Sequence, residues 1–168
     1  ASPQKVPYAL LQKKLKNAIQ KSIPSHEKFG IAFSGGLDSG TLAFIIQKFS
    51  KNVVLVVVGT RGSPDISRAE SLAKKWKMRW VKKELSHEKI KQNYALAEKI
   101  LGKKDHLQQT LGAVNLSIAQ LAHENGIKTL IVGSGADELF CGYAEFEKYR
   151  GDSNGCEKLR KEKVQNVE

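Results

Sequence analysis

Apolar residues recur along this chain in two rhythms. Tyr8, Leu11, Leu15, Ala18 and Ile19 fall on one helical face after Pro7, a residue suited to a first turn, so the spacing predicts an amphipathic helix over residues 7–22. The apolar run at 29–33 predicts a short buried strand, and 41–49 a helix. NVVLVVV, at 52–58, is continuous and β-branched, the mark of a strand covered on both faces. Ser63 and Pro64 read as N-cap and first residue of a helix through Lys77, and 80–82 as a weaker strand. Ser86 can cap a helix that Gly102 ends. Residues 105–125 predict a longer helix with Leu107, Leu111, Val114, Ile118 and Leu121 on one stripe and Gly126 beyond it, and 129–132 a fourth strand.

Strands that alternate with helices imply parallel pairing. The fold class expected is therefore α/β: a doubly wound parallel sheet of four to five strands with helices on both faces. Residues 1–150 are expected to form this domain. Residues 151–168 are polar and are expected as a carboxyl-terminal tail, either a mobile extension or a helix without a packing partner. Neither internal repeats nor low-complexity stretches interrupt the pattern.

Composition narrows the class. With 168 residues and 40% hydrophobic content the chain suits one domain, burying about 70% of its unfolded surface. Cys141 and Cys156 are too few for a disulfide framework and do not form a CxxC pair. They fit a reducing compartment. No apolar run reaches the length of a membrane span, so the expectation is a cytoplasmic domain with no membrane partner. The net charge of +11, from 28 basic and 17 acidic residues, favours polyanionic partners. Its clusters, Lys13, Lys14 and Lys16, then Lys74, Lys75 and Lys77, then Lys158, Arg160, Lys161 and Lys163, have the spacing of solvated helix faces. His26, His87, His106 and His123 are scattered without metal-ligand spacing.

The chemistry concentrates where strands end. FSGGLDSG, residues 33–40, follows the first strand and opens a helix. Gly35 and Gly36 allow a tight turn and close backbone approach, Ser34 and Ser39 add hydroxyl donors, and the helix offers the positive end of its dipole: an anion site. The loop has no lysine, so it is not a P-loop of the GxxxxGK[ST] type. Asp38 makes sense in such a loop as a ligand of magnesium on a polyphosphate. A second carboxylate, Asp137, stands in GSGADELF at 133–140, again a Gly-rich turn after a strand. Read without that context, Asp137 and Glu138 are ordinary first-turn acids, GSPD at 62–65 is a helix cap, and Arg61 is a solvated loop residue.

SGGLDS at 34–39 resembles the signature loop of the N-type ATP pyrophosphatase (PP-loop) family, whose fold is adenine nucleotide alpha hydrolase-like. GSPD at 62–65 and GSGADELFCGY at 133–143, in that order, are similar to the synthetase domain of asparagine synthetase, over about residues 29–150. The resemblance implies an ATP- and Mg2+-dependent ligase. A carboxylate, aspartate or similar, is adenylated with loss of pyrophosphate, and ammonia then opens the acyl-adenylate to an amide. By position it assigns ATP and pyrophosphate contacts to Ser34, Gly35, Gly36, Leu37, Asp38, Ser39, Val58, Gly59, Gly133, Ser134 and Gly135, and the metal to Asp38 and Asp137. Ser134 departs from the pattern, since the family usually carries an acid there that assists proton transfer.

No amino-terminal cysteine-nucleophile region precedes the motifs, so ammonia is expected free or from a separate glutaminase subunit. The region after Arg150 is short against the family, which implies a minimal relative or an incomplete chain. Two alternatives stay open: a PP-loop enzyme adenylating a tRNA base, motivated by the charge, and a nucleotide-binding module without turnover, motivated by Ser134.

Overall fold

In the computed structural model the continuous β-branched run takes the place its burial demands, inside a four-stranded parallel sheet. The strands are β1 (Phe29–Ala32), β2 (Val53–Thr60), β3 (Arg79–Leu85) and β4 (Thr129–Ile131), in the order β3-β2-β1-β4. The structure describes residues 7–25, 27–102 and 106–165. The described residues form two compact units, one running through Val132 and one beginning at Gly133.

The sheet and its helices make up the first unit. Because successive strand residues point to opposite faces, Val53, Leu55 and Val57 enter one core while Val54 and Val56 enter another. The first core is closed by α1 (Tyr8–Ser22), α2 (Leu37–Ile46) and α3 (Pro64–Trp76), which contribute Ile19, Ala43, Ile46, Ile66, Ala69 and Ala73. The second is closed by α5 (His106–Glu124), through Leu121 and Ala122, with Ile127 from the loop behind it. Helices therefore cover both faces, as expected, and the sheet has four strands among the described residues.

The cap residues fall where the sequence puts them. Ser63 accepts from the N–H of Asp65 at 3.2 Å and Ser86 from that of Lys89 at 3.2 Å, opening α3 and α4 (His87–Leu101). Asp105, the expected start of α5, and His26 lie outside the described residues. One strand and one helix differ most from expectation. Strand β3 runs over seven residues because it pairs with the long β2 from Val54↔Arg79 to Thr60↔Leu85; as an edge strand it tolerates Lys82 and Lys83, which hid its length. Helix α2 begins at Leu37 rather than near residue 41, so SGGLDS ends inside a helix.

Helix α4 lies against α5 through a polar contact buried between them. Asn93, 1% exposed, donates to Ser117 Oγ at 2.7 Å and accepts from Gln120 Nε2 at 3.3 Å. Truncating it removes both contacts and leaves the Ser117 hydroxyl only its bond to the Ala113 carbonyl at 2.8 Å. Asn93→Ala is expected to cost about 1–3 kcal/mol, read from a shifted urea midpoint with an unchanged slope.

The second unit contains α6 (Ala136–Phe140), a 3-10 helix (Ala144–Tyr149) and α7 (Ser153–Gln165). Residues 153–165, expected as an extension or an unpartnered helix, pack on α6 and on the 3-10 helix; Leu159 is buried, and so is Phe146 of the 3-10 helix. Asp152 Oδ1 accepts from the N–H groups of Asn154 and Gly155, both at 3.1 Å, and so starts α7. The basic tail residues are largely tied locally: Arg160 and Lys161 to Glu157, and Lys163 to Glu145 at 2.8 Å. Among the described residues no helix is long and apolar enough to cross a membrane.

Candidate active site

The chain leaves β1 at Ala32 and turns into α2 within four residues, through a loop knit by its own hydroxyls. Ser39 Oγ accepts from the N–H of Ser34 at 3.3 Å and lies 3.2 Å from Ser34 Oγ, which in turn accepts from the N–H of Gly36 at 3.2 Å. Ser39 is buried, while Ser34 and Asp38 are exposed. The two serines therefore split their work: Ser39 ties the first turn of the helix back to the loop, and Ser34 faces solvent.

Gly35 is the residue that makes this turn possible. Its φ is +74°, and a Cβ there would lie 2.9 Å from the backbone nitrogen of Ala69 and 3.1 Å from Arg68 Cγ in α3. Both the left-handed conformation and the missing side chain are needed, the second so that loop and helix can touch.

Gly36, extended at φ −72° and ψ 177°, is the N-cap of α2, and no side chain caps it. Caps on α3 and α4 spend their first N–H groups internally; α2 leaves those of its first turn directed outward at the carboxyl edge of the sheet. With the helix dipole behind them they form a donor set for an anion. Asp38, in that same turn, supplies a carboxylate that a hard cation can bind.

Neighbouring strand ends complete this edge. Val58 and Gly59, both half-buried, lie just before the end of β2 at Thr60, and Gly59 packs against Ile66 of α3. Strand β4 flanks β1 on its other side, with Ile31 opposite Ile131. The chain order thus reverses between β1 and β4, the kind of switch point at which open parallel sheets bind ligands.

Arg68 was passed over by sequence reasoning, which weighed the exposed loop residue Arg61 instead. It stands beside Gly35, its Nη1 3.2 Å from Asp65 Oδ1. The signal available was its spacing three residues after the aspartate of GSPD, one helical turn on.

In the second unit Gly133, Ser134 and Gly135 lead into α6, Gly135 with φ +95°. Asp137 and Glu138 occupy its first turn, Asp137 exposed. A Cβ on Gly142 would collide with Asp137 Oδ1, so the glycine after Cys141 keeps room for that carboxylate. Glu138 accepts from Tyr143 Oη. That hydrogen bond, partial burial, and the negative charges of Glu138, Asp137 and Glu145 push the Tyr143 pKa up to about 12.

The Tyr143 bond is stabilising while the phenol keeps its proton. Its contribution is whole below the ordinary tyrosine pKa near 10 and is lost as pH rises through about 12. A phenolate titration followed at 295 nm is expected to lose its component near pH 12 in Tyr143→Phe, and to show that component moved to lower pH in Glu138→Gln.

The family model for asparagine synthase matches residues 10–166. A putative glutamine-hydrolyzing asparagine synthetase from Methanocaldococcus jannaschii is 35% identical over 158 residues, covering 94% of this chain and 29% of that protein. A glutamine-hydrolyzing asparagine synthetase from Oryza sativa subsp. japonica is 25% identical, covering 83% of this chain and 25% of that protein. The chain thus spans less than a third of the length of these relatives. Among solved structures, the NH3-dependent NAD synthetase of Campylobacter jejuni superposes with a TM-score of 0.56 at 19% identity, over 83% of this chain and 62% of that one. This likeness shows the fold, adenine nucleotide alpha hydrolase-like. By the match along nearly its whole length, this chain belongs to the asparagine synthase family.

Proposed function

We propose that this chain is the adenylating part of an ATP-dependent, amide-forming ligase. The observation that carries the reading is the SGGLDS turn: an uncapped helix start with an exposed carboxylate, at the switch point between β1 and β4, in a chain of the asparagine synthase family.

The pyrophosphate of ATP is held by the first-turn N–H groups of Leu37, Asp38 and Ser39 and by the Ser34 hydroxyl; Val58 and Gly59 border the adenine, and Gly133 to Gly135 the ribose and α-phosphate. A carboxylate of the aspartate class attacks the α-phosphorus, the bond to pyrophosphate breaks, and ammonia then displaces AMP from the acyl-adenylate. Donors aimed at the departing oxygens stabilise charge as it develops. Magnesium prefers one or two carboxylates beside phosphate oxygens and water; the exposed Asp38 in the nucleotide turn suits it, and Asp137 would be the second residue to hold it. When bound, it would neutralise the triphosphate and polarise the phosphorus under attack. Ser134 is exposed and carries a hydroxyl, suited to orienting a reactant by hydrogen bonds rather than to taking its proton. Relatives described as glutamine-hydrolyzing support ammonia delivered by a glutaminase.

Incubation with α-labelled ATP, magnesium, aspartate and ammonia is expected to yield AMP and pyrophosphate in equal amounts. Formation of ADP and phosphate, or no cleavage under saturating ATP binding, would overturn the proposal.

A further inference from the structure

A groove of about 1010 Å3 runs between α1 and α2 and ends at the nucleotide loop. Leu11, Leu15, Phe44, Ile45, Leu72 and Trp76 make its floor, and Gly36 and Leu37 its inner end. This surface is open: Tyr8 is 88% exposed, Leu37 85% and Phe44 46%. Of the apolar residues on α1 only Ile19 is buried, although Tyr8, Leu11 and Leu15 share one helical face. An apolar stripe of this kind normally covers a core or receives a partner.

Charge identifies the partner. The groove is lined by Lys16 and Lys48 and by no acidic residue. Lys48 Nζ stands 4.4 Å from the centre of the Phe44 ring, so the cation sits at the lip of the apolar floor. Helix α1 carries Lys13, Lys14, Lys16 and Lys21 without one Asp or Glu. A second copy of this +11 chain would bring the same lysine rim against itself. A nucleic acid would pair the lysines and could stack on Phe44 or Trp76, but would leave Leu11, Leu15, Ile45 and Leu72 against sugar and phosphate. An amphipathic helix with apolar residues on one face and carboxylates along both margins satisfies floor and rim together.

We propose that the α1–α2 groove, with its apolar floor and lysine rim, is a docking site for an acidic amphipathic helix of a partner protein. The helix lays its apolar face on Leu11, Phe44 and Trp76 and its carboxylates on Lys16 and Lys48, and it ends against Leu37.

The probe is a designed, fluorescently labelled amphipathic peptide of about five helical turns with leucines on one face and glutamates beside them, compared with a copy in which every glutamate is lysine. Anisotropy is expected to show micromolar binding of the acidic peptide alone, weakened by added salt and reduced about tenfold or more by Phe44→Glu. The double variant Lys16→Glu with Lys48→Glu is expected to reverse the preference and bind the lysine peptide, a gain that misfolding could not produce. Equal binding of both peptides, or indifference to the double reversal, would overturn the proposal. So would two further results: a dimer by light scattering that Phe44→Glu dissociates, assigning the groove to a second copy, or binding of single-stranded RNA in place of the peptide, lost on the double reversal.

Discussion

Asp38→Asn is expected to lower AMP formation by about 100-fold or more while changing folding stability by less than about 1 kcal/mol. The two figures separate two roles for one side chain. As a first-turn acid on an exposed helix start, Asp38 interacts with the α2 dipole, worth at most about 1 kcal/mol. As the magnesium ligand proposed above it would hold a charge that stabilises the transferring adenylyl group by several kcal/mol, and each 1.36 kcal/mol lost is about tenfold in rate. Turnover should fall far more than stability, and higher magnesium should recover part of it.

If Asp137 holds the same ion, Asp137→Asn is expected to give a loss of similar size, and the double variant a loss no greater than the larger single one, because two ligands of one ion would act as a unit. Multiplying losses would show the two carboxylates acting independently. They would then remove the shared metal from the proposal and leave the nucleotide loop standing.

The elements legible in the sequence are those whose signals are local. The β-branched run of β2, the Ser63–Pro64 start of α3 and the Ser86 to Gly102 limits of α4 each carry their own cap, breaker or burial pattern, and each stands where expected. What escaped depends on residues distant in the chain. The early start of α2 follows from Ser39 bonding back to Ser34, a hydroxyl contact that composition cannot reveal. Strand β3 owes its length to β2. The packing of α7 depends on Leu159 meeting its own small unit, where the polar composition of 151–168 gave little apolar signal. At the candidate site the motifs were readable from their order and combination, since each alone has an ordinary use as a turn, a cap or a first-turn acid. The seat of Gly35 on α3, and Arg68 beside it, were not, because 33 or more residues separate those positions.

Gly35→Val is expected to abolish detectable ATP binding and to destabilise the fold by about 2–5 kcal/mol. The loss has two separable origins. Any side chain at φ +74° meets the left-handed penalty of about 1–2 kcal/mol. The Cβ also presses on the backbone of Ala69, a fully buried residue at 0% exposure that cannot yield as a surface side chain would, adding about 1–3 kcal/mol of overpacking. Gly35→Ala has both contacts in their smallest form and should fall at the lower end. Gly36→Ala supplies the internal control: its backbone is extended at φ −72°, and its Cβ would lie 3.2 Å from a serine hydroxyl at the solvent face, so its fold should be nearly unchanged. If binding nonetheless falls in Gly36→Ala at full stability, close approach of the ligand to that backbone is the reason. If Gly35→Val keeps wild-type stability and nucleotide affinity, α3 does not brace the loop, and the structural basis assigned to the turn is wrong.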